Sequence, residues 1–326
     1  MYNLHGYALF ALPKKIYMKK THQIISILLL TVTVMVPGLT MAQDPIVQDI
    51  QKKIPEDSTH KEGWKLGAAL TLGLAQGGTS NWAAGGEKSS FSLNSHVNLF
   101  GNWKKGKNKW TNNLDLFYAV LRTTSDGVRK NDDMIDFYSK YIYSFKPKVG
   151  LGVVTTFRTQ FTEGFDYDVT PPEKTSNFFA PAYLTIAPGA DWAPAEDLSL
   201  FLSPLSARWT FVNEANIELA PDYGLDSGHT SLFQAGAYFS AIFKREIFKN
   251  VTYKGRLDLF SNYLDKPQNI DVYWTNLFGF KVNNWLTVTY SFDLIYDDNI
   301  RLFGPNENAP RTQTKTLLSI GFSGKL

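Results

Sequence analysis

From Trp64 onward apolar and small or polar residues alternate, with Trp64, Leu66, Ala68, Leu70, Leu72 and Leu74 at even positions and Lys65, Gly67, Ala69, Thr71 and Gly73 between them. A period of two puts each set on its own face of a β-strand, whereas a helix would mix them. The pattern returns at Phe91, Leu93, Val97 and Leu99 against Ser92, Asn94, His96 and Asn98, and at Trp110, Leu114, Leu116, Tyr118 and Val120 against Thr111, Asn113 and Asp115. Ile135–Tyr143, Leu151–Phe161, Phe233–Phe243, Val251–Leu259, Ile270–Val282, Leu286–Tyr296 and Thr312–Leu326 repeat it. Two further strands, Ala182–Trp192 and Leu198–Val212, contain Pro188 and Pro204. Proline removes a ladder donor, so a bulge or bend is expected near each.

The count of about twelve strands is even, as single-chain bacterial barrels require. The connections after odd-numbered strands, such as 75–90, 122–132, 162–181, 213–230 and 297–311, are long, and only 264–269 is brief. Those after even-numbered strands, 104–108, 145–148, 193–197, 244–250 and 283–285, are all short. This predicts an all-β fold, a transmembrane antiparallel up-and-down β-barrel with long outer loops and short periplasmic turns. It also predicts an outer-membrane location with both mature termini in the periplasm. Trp64, Trp103, Trp110, Trp192 and Trp285 fall beside the short turns or the chain start, where indoles favour the membrane interface.

The first stretch changes how charge is read. Met18, Lys19 and Lys20 precede the apolar run 24–36, and Thr40-Met41-Ala42 supplies small residues for cleavage, so residues 1–42 are expected to be an upstream extension and signal peptide. The run falls short of the about 20 residues that a spanning helix needs. The chain carries 33 basic and 30 acidic residues, and Lys14, Lys15, Lys19 and Lys20 lie in this leader with no acidic residue beside them. The remainder is near neutral, without the basic face that a nucleic-acid partner requires. There is no cysteine, which excludes disulfides and thiolate metal sites. Residues 43–63 form a polar segment with Ile46, Ile50 and Ile54 at helical spacing, read as a periplasmic tail or a plug. The barrel proper is expected over 64–326.

The polar faces of the strands nominate lumen-lining residues: His96, Asp115, Asp136, Lys140, Arg158, Lys254, Arg256, Asp258, Asp271 and Asp293. Both signs are present, which fits either a narrow channel or transporter for small solutes or a salt-bridged, non-conducting interior. About twelve strands leave a narrow pore at most. A non-conducting barrel would act structurally or through its loops, where Asn81 and Trp82 stand beside flexible glycines as a candidate contact. A hydrolase would need a base, and His96, between Asn94 and Asn98 on one face, is the candidate, with no Ser-His-Asp set legible around it. No cofactor and no metal site is expected. The expected partners are outer-membrane lipid, lipopolysaccharide and the barrel insertion machinery.

Several stretches, Ser80-Asn81-Trp82-Ala83-Ala84-Gly85-Gly86, Asn131-Asp132-Asp133, Ser203-Pro204-Leu205, 257–264 and Ile295-Tyr296-Asp297-Asp298, resemble an uncharacterised outer-membrane barrel family known as domain of unknown function 3078. The resemblance implies the same fold and location and carries no activity or catalytic residue. Barrels of this type commonly end on an aromatic residue read by the insertion machinery. Here Phe322 is the last aromatic before Gly324-Lys325-Leu326.

Overall fold

The computed structural model describes residues 62–77, 89–125, 127–167, 169–283, 286–300 and 309–322. The expected leader 1–42, almost all of the tail 43–63, and the loop holding Asn81 and Trp82 lie outside the described residues. Among the described residues fourteen strands follow in order: β1 Gly63–Gly77, β2 Ser90–Lys105, β3 Asn108–Thr123, β4 Gly127–Lys146, β5 Val149–Thr159, β6 Gly164–Asp166, β7 Glu173–Ser176, β8 Ala182–Ala195, β9 Leu198–Phe211, β10 Ser231–Phe248, β11 Val251–Asn262, β12 Ile270–Lys281, β13 Leu286–Tyr296 and β14 Gln313–Phe322. Twelve of them close an antiparallel barrel, each paired with its neighbour in sequence apart from the excursion between β5 and β8, and β14 closes onto β1 at Gly73↔Gly321. β6 and β7 form a small separate hairpin within the β5–β8 connection.

Side-chain chemistry sorts by face as the alternation requires. Leu66, Leu72, Leu151, Leu202, Phe233 and Leu318 point outward and are exposed. A ring of such residues has no reason to face water and every reason to face lipid. The outward row Trp64, Trp103, Trp110 and Tyr141 runs across β1–β4 as successive cross-strand partners, with the Trp64 and Trp110 rings 5.5 Å apart. Each of these residues lies near the short-turn end, so the register assembles an aromatic girdle there.

That end is built from tight hairpins. Gly106 turns with φ +55° and Asn250 with φ 65°, both residue types that tolerate the left-handed region. The start of β1 pairs with the end of β2, and the end of β14 with the start of β13, so the barrel begins and ends on this side. Gly152 is needed for a different reason: a Cβ there would run into the Tyr141 carbonyl and lie 2.7 Å from Ile142 Cδ1. Gly152→Val is therefore expected to destabilise the barrel by about 1–3 kcal/mol through overpacking, read as a lower urea midpoint for the refolded protein. An unchanged midpoint would mean that β4 and β5 can separate there freely.

The structure departs from the sequence reading in three places. The stretch 122–132, expected as a long loop, is mostly strand: β3 and β4 continue to Thr123 and Gly127 and pair there, with Asn131 bulged out between the Ala119↔Asp132 and Val120↔Lys130 pairs. Arg129-Lys130-Asn131-Asp132-Asp133 shows no apolar alternation, and backbone pairing beyond the lipid needs none. At the prolines, the bulge lies in β9: both Pro204 and Leu205 point outward, so Ser203 and Ser206 are both buried although three positions apart. β8 keeps an unbroken register with β5 through Val153↔Pro188, and Pro188 faces the gap in the β8–β9 ladder. Third, the interior is not all polar. Tyr138, Ile142, Val154, Ala187, Phe201, Tyr238 and Phe260 form a buried cluster inside the barrel.

The long-loop end is closed by a second cluster, in which Ala180, Val212, Leu219, Ala220, Tyr223, Leu225 and Ile300 pack together. Short 3₁₀ helices at Glu214–Leu219 and Pro221–Tyr223 supply its centre. Polar contacts pin it: Asn216 Oδ1 accepts from Lys174 Nζ and Asn177 Nδ2, and the Tyr223 hydroxyl donates to the Thr175 carbonyl. Burial, with help from Asp222, pushes the Tyr223 phenol well above its ordinary value. An acid whose pKa is raised on folding stabilises the fold below its unfolded pKa, so the contribution is lost as pH climbs beyond about 10. Proteolysis of the 213–230 loop is expected to accelerate above that pH, and Tyr223→Phe should flatten this rise. An equally steep rise in the variant would assign it to other groups.

Candidate functional site

Beneath this cap the barrel encloses a cavity of ≈ 270 Å³. Lys109, Lys140, Lys244, Lys254, Arg256 and Lys315 line it together with six acids, among them Asp132, Asp191 and Glu196. The formal charges therefore balance. The cavity reaches the short-turn end at Ala193 and Ala195.

Period-two alternation carries the polar side chains inward, and the register decides which of them meet. On the β2–β3 wall, His96 Nε2 lies 2.7 Å from Asp115 Oδ1, which also accepts from Asn98 Nδ2 at 2.8 Å, while Asn113 Nδ2 donates to Asp115 Oδ2. The His96 ring stacks on Phe117 at 3.8 Å. Among the described residues no hydroxyl bonds to His96, so the base is held by a carboxylate and no nucleophile is assembled on it. Lys140 Nζ donates to Asp191 Oδ1 at 2.7 Å and to Ser199 Oγ at 2.8 Å. Lys315 on β14 reaches across the barrel to Asp132 on β4 at 3.1 Å and along the wall to its cross-strand partner Asp293 at 3.5 Å.

The ceiling of the cavity is a charged layer. Arg256 on β11 bonds Asp258 through Nε at 2.7 Å and lies 3.4 Å from Asp136 of β4, with β10, β9, β8 and β5 lying between them round the barrel wall. Arg158 reaches the same Asp136 oxygen at 3.3 Å and lies 3.3 Å over the ring of Tyr273 on β12. Tyr238 donates to Asp258 at 2.9 Å. Of these contacts, Arg256 with Asp136 and Arg158 with Tyr273 cross the lumen, while the others follow its wall.

Nine of the ten candidate lumen residues lie at the cavity or in the layer above it. His96, Asp115, Asp136, Lys140, Lys254, Arg256 and Asp293 line the cavity, and Arg158 and Asp258 belong to the layer above. Asp271 lies apart, nearer the loop end, where Arg208 Nη1 bonds it at 2.6 Å and Arg208 Nη2 bonds Asp297. Arg208 escaped the sequence reading because the β9 bulge reverses the inside-outside parity ahead of it. Asp191 escaped for want of a clean alternation around Pro188. Among the described residues no group of three His, Asp or Glu side chains is placed to hold a metal ion.

The family described as "Protein of unknown function (DUF3078)" matches residues 74–165, the family that the sequence resembles. That span contains Ser80–Gly86 and Asn131-Asp132-Asp133, while the other stretches of the resemblance fall beyond it. Among curated proteins none matches the chain. Similar solved structures include the NanC porin, at 11% identity over 80% of this chain and 100% of that chain with a TM-score of 0.37. Others are the TodX monoaromatic hydrocarbon channel deltaS2 mutant (9%, 86% and 85%, 0.32) and the CymD monoaromatic hydrocarbon channel (10%, 89% and 95%, 0.32).

Proposed function

We propose that this protein is a gated outer-membrane channel, a barrel that holds a small polar solute in its lumenal cavity and passes it only when the charged layer above the cavity opens. The observation that carries this reading is Arg256 binding Asp258 and approaching Asp136 across the lumen, directly above an internal cavity. An interior meant only to be filled gains little from leaving such a space. An open pore would not tie its walls together through ion pairs. In this reading the short turns and both barrel ends face the periplasm, the capped end faces outward, and the apolar belt contacts outer-membrane lipid and lipopolysaccharide after insertion by the barrel assembly machinery.

The test is planar-bilayer conductance. The wild-type barrel is expected to be silent or to flicker, and the Asp136→Asn/Arg256→Gln double variant to give resolvable single-channel steps. A correctly folded double variant as silent as wild type would sink the channel reading in favour of a filled, non-conducting barrel.

A further inference from the structure

We infer that the short-turn rim beneath β2–β5 is a binding surface for the negatively charged headgroups of phospholipid, held by Lys105, Lys107, Lys146 and Lys148. This goes beyond the channel reading and does not depend on a gate. It needs only that the apolar belt stands in a bilayer with the short turns on its phospholipid leaflet.

Three observations converge on it. The first is positive charge without a partner. The segments 104–109 and 146–148, at the β2–β3 and β4–β5 hairpins, hold six lysines and no acid. The Ser144 amide donates to the Lys107 carbonyl at 2.8 Å, so the two turns stand side by side. Lys105, Lys107, Lys146 and Lys148 are all exposed. Among the described residues the ammonium groups of Lys105, Lys107 and Lys146 make no hydrogen bond and no ion pair. That of Lys148 donates to a neutral group, the Pro194 carbonyl, at 2.7 Å. Glu62, whose carboxylate accepts from the Gly106 amide at 2.8 Å, offsets one charge and leaves an excess. An anionic surface relieves the repulsion among the rest.

The second is a backbone that turns these lysines away from the lumen. β4 carries one extra residue, Phe145, between the Ser144↔Gly150 and Lys146↔Val149 pairs. A bulge breaks the alternation, so Lys146 does not follow Ser144 inward, and Phe145 and Lys146 are both exposed. Lys148 holds a left-handed turn position, φ 68°, of the kind that Gly106 and Asn250 fill at two other hairpins. Glycine would fill it with less strain, so the turn geometry itself does not call for lysine.

The third is continuity with the apolar belt. Trp103 leads into Lys104-Lys105, Lys109 leads into Trp110, and Tyr143 and Phe145 lead into Lys146, with Trp110, Tyr143 and Phe145 exposed. Aromatic rings of this kind settle at headgroup level, and lysine stems lie along apolar surface while the ammonium reaches into the polar layer. The charge therefore stands at the depth of lipid phosphates, where lipid already covers the approach of a soluble acidic protein. The charge is also local. The next turn round the ring, between β8 and β9, carries Glu196 and Asp197 instead.

The experiment is tryptophan quenching of the full chain folded into phosphatidylcholine bilayers, because Trp64, Trp103 and Trp110 form one cross-strand row beside the cluster. Brominated phosphatidylglycerol should quench more than the same fraction of brominated phosphatidylcholine, and high salt should remove the preference. Lys105→Gln/Lys107→Gln/Lys146→Gln should lose about fivefold in relative affinity for each lysine removed, the equivalent of about 1 kcal/mol apiece. Arg245→Gln/Lys249→Gln, on the β10–β11 turn, should keep the preference. Heat-modifiable gel mobility checks folding, and the salt dependence of wild type is a sufficient test if the triple variant fails to insert. Equal quenching by the two lipids would overturn the inference and leave the cluster to a soluble acidic partner. A preference that survives high salt, or one lost equally in Arg245→Gln/Lys249→Gln, would overturn it too. So would stronger competition by lipopolysaccharide than by unbrominated phosphatidylglycerol, which would assign the phosphate to the other leaflet.

Discussion

Arg208→Met is expected to destabilise the barrel by about 3–5 kcal/mol, because it strands two buried carboxylates. Arg208 donates to Asp271 at 2.6 Å and to Asp297, and all three side chains are largely buried. Each carboxylate also organises the chain leaving β13: Asp271 Oδ1 accepts from the Asp298 amide, and Asp297 Oδ1 from the Asn299 amide. Removing the guanidinium leaves two like charges facing each other in a poorly hydrated space, with the Phe260 ring 5.0 Å from where the cation stood. A large drop in the urea midpoint, with early exposure of the loop after Tyr296, is the expected reading. The triple variant Arg208→Met/Asp271→Asn/Asp297→Asn should recover much of the loss, since asparagine keeps acceptors for the backbone amides without the charge. A single variant that unfolds at the wild-type midpoint would show that water already screens this cluster.

Arg256→Met should also cost several kcal/mol, toward the lower end of the same range of about 3–5 kcal/mol, because only one carboxylate loses its cation. Asp136 keeps Arg158, whereas Asp258 keeps only the Tyr238 hydroxyl. Asp258→Asn in the Arg256→Met background should therefore restore most of the stability, and Asp136→Asn should restore little. Arg256→Lys should rescue poorly. A lysine offers a point charge where the planar fork reaches two carboxylates on different strands. Equal rescue by Asp258→Asn and Asp136→Asn, measured as urea midpoints, would mean that the layer shares its charge evenly.

The two arginines differ in how visible they are along the chain. Arg256 alternates with Leu257 and Leu259 in an unbroken strand, so its inward face follows from period two alone. Arg208 lies beyond the bulge at Pro204 and Leu205, where one added residue reverses every later side chain. The proline announced a disturbance without saying which strand would absorb it. The same limit hid Phe201, which alternation alone does not distinguish from a lipid-facing residue and which the structure buries in the lumen.

The sequence by itself determined the twelve barrel strands, most of the alternation of long and short connections and the girdle residues, but not the β6–β7 hairpin or the short β3–β4 turn. Each of these depends on neighbours within a few positions, and strand geometry converts such spacing directly into faces. Only the tertiary structure decided which inward charges meet. Arg256 with Asp136, Lys315 with Asp132 and Arg208 with Asp297 are pairings between distant parts of the chain, and barrel closure and stagger fix which inward charges stand at the same height. The cap followed the same rule: Ala180, Leu219 and Ile300 carry no local signal for one another, and only the closed ring brings their loops over one mouth.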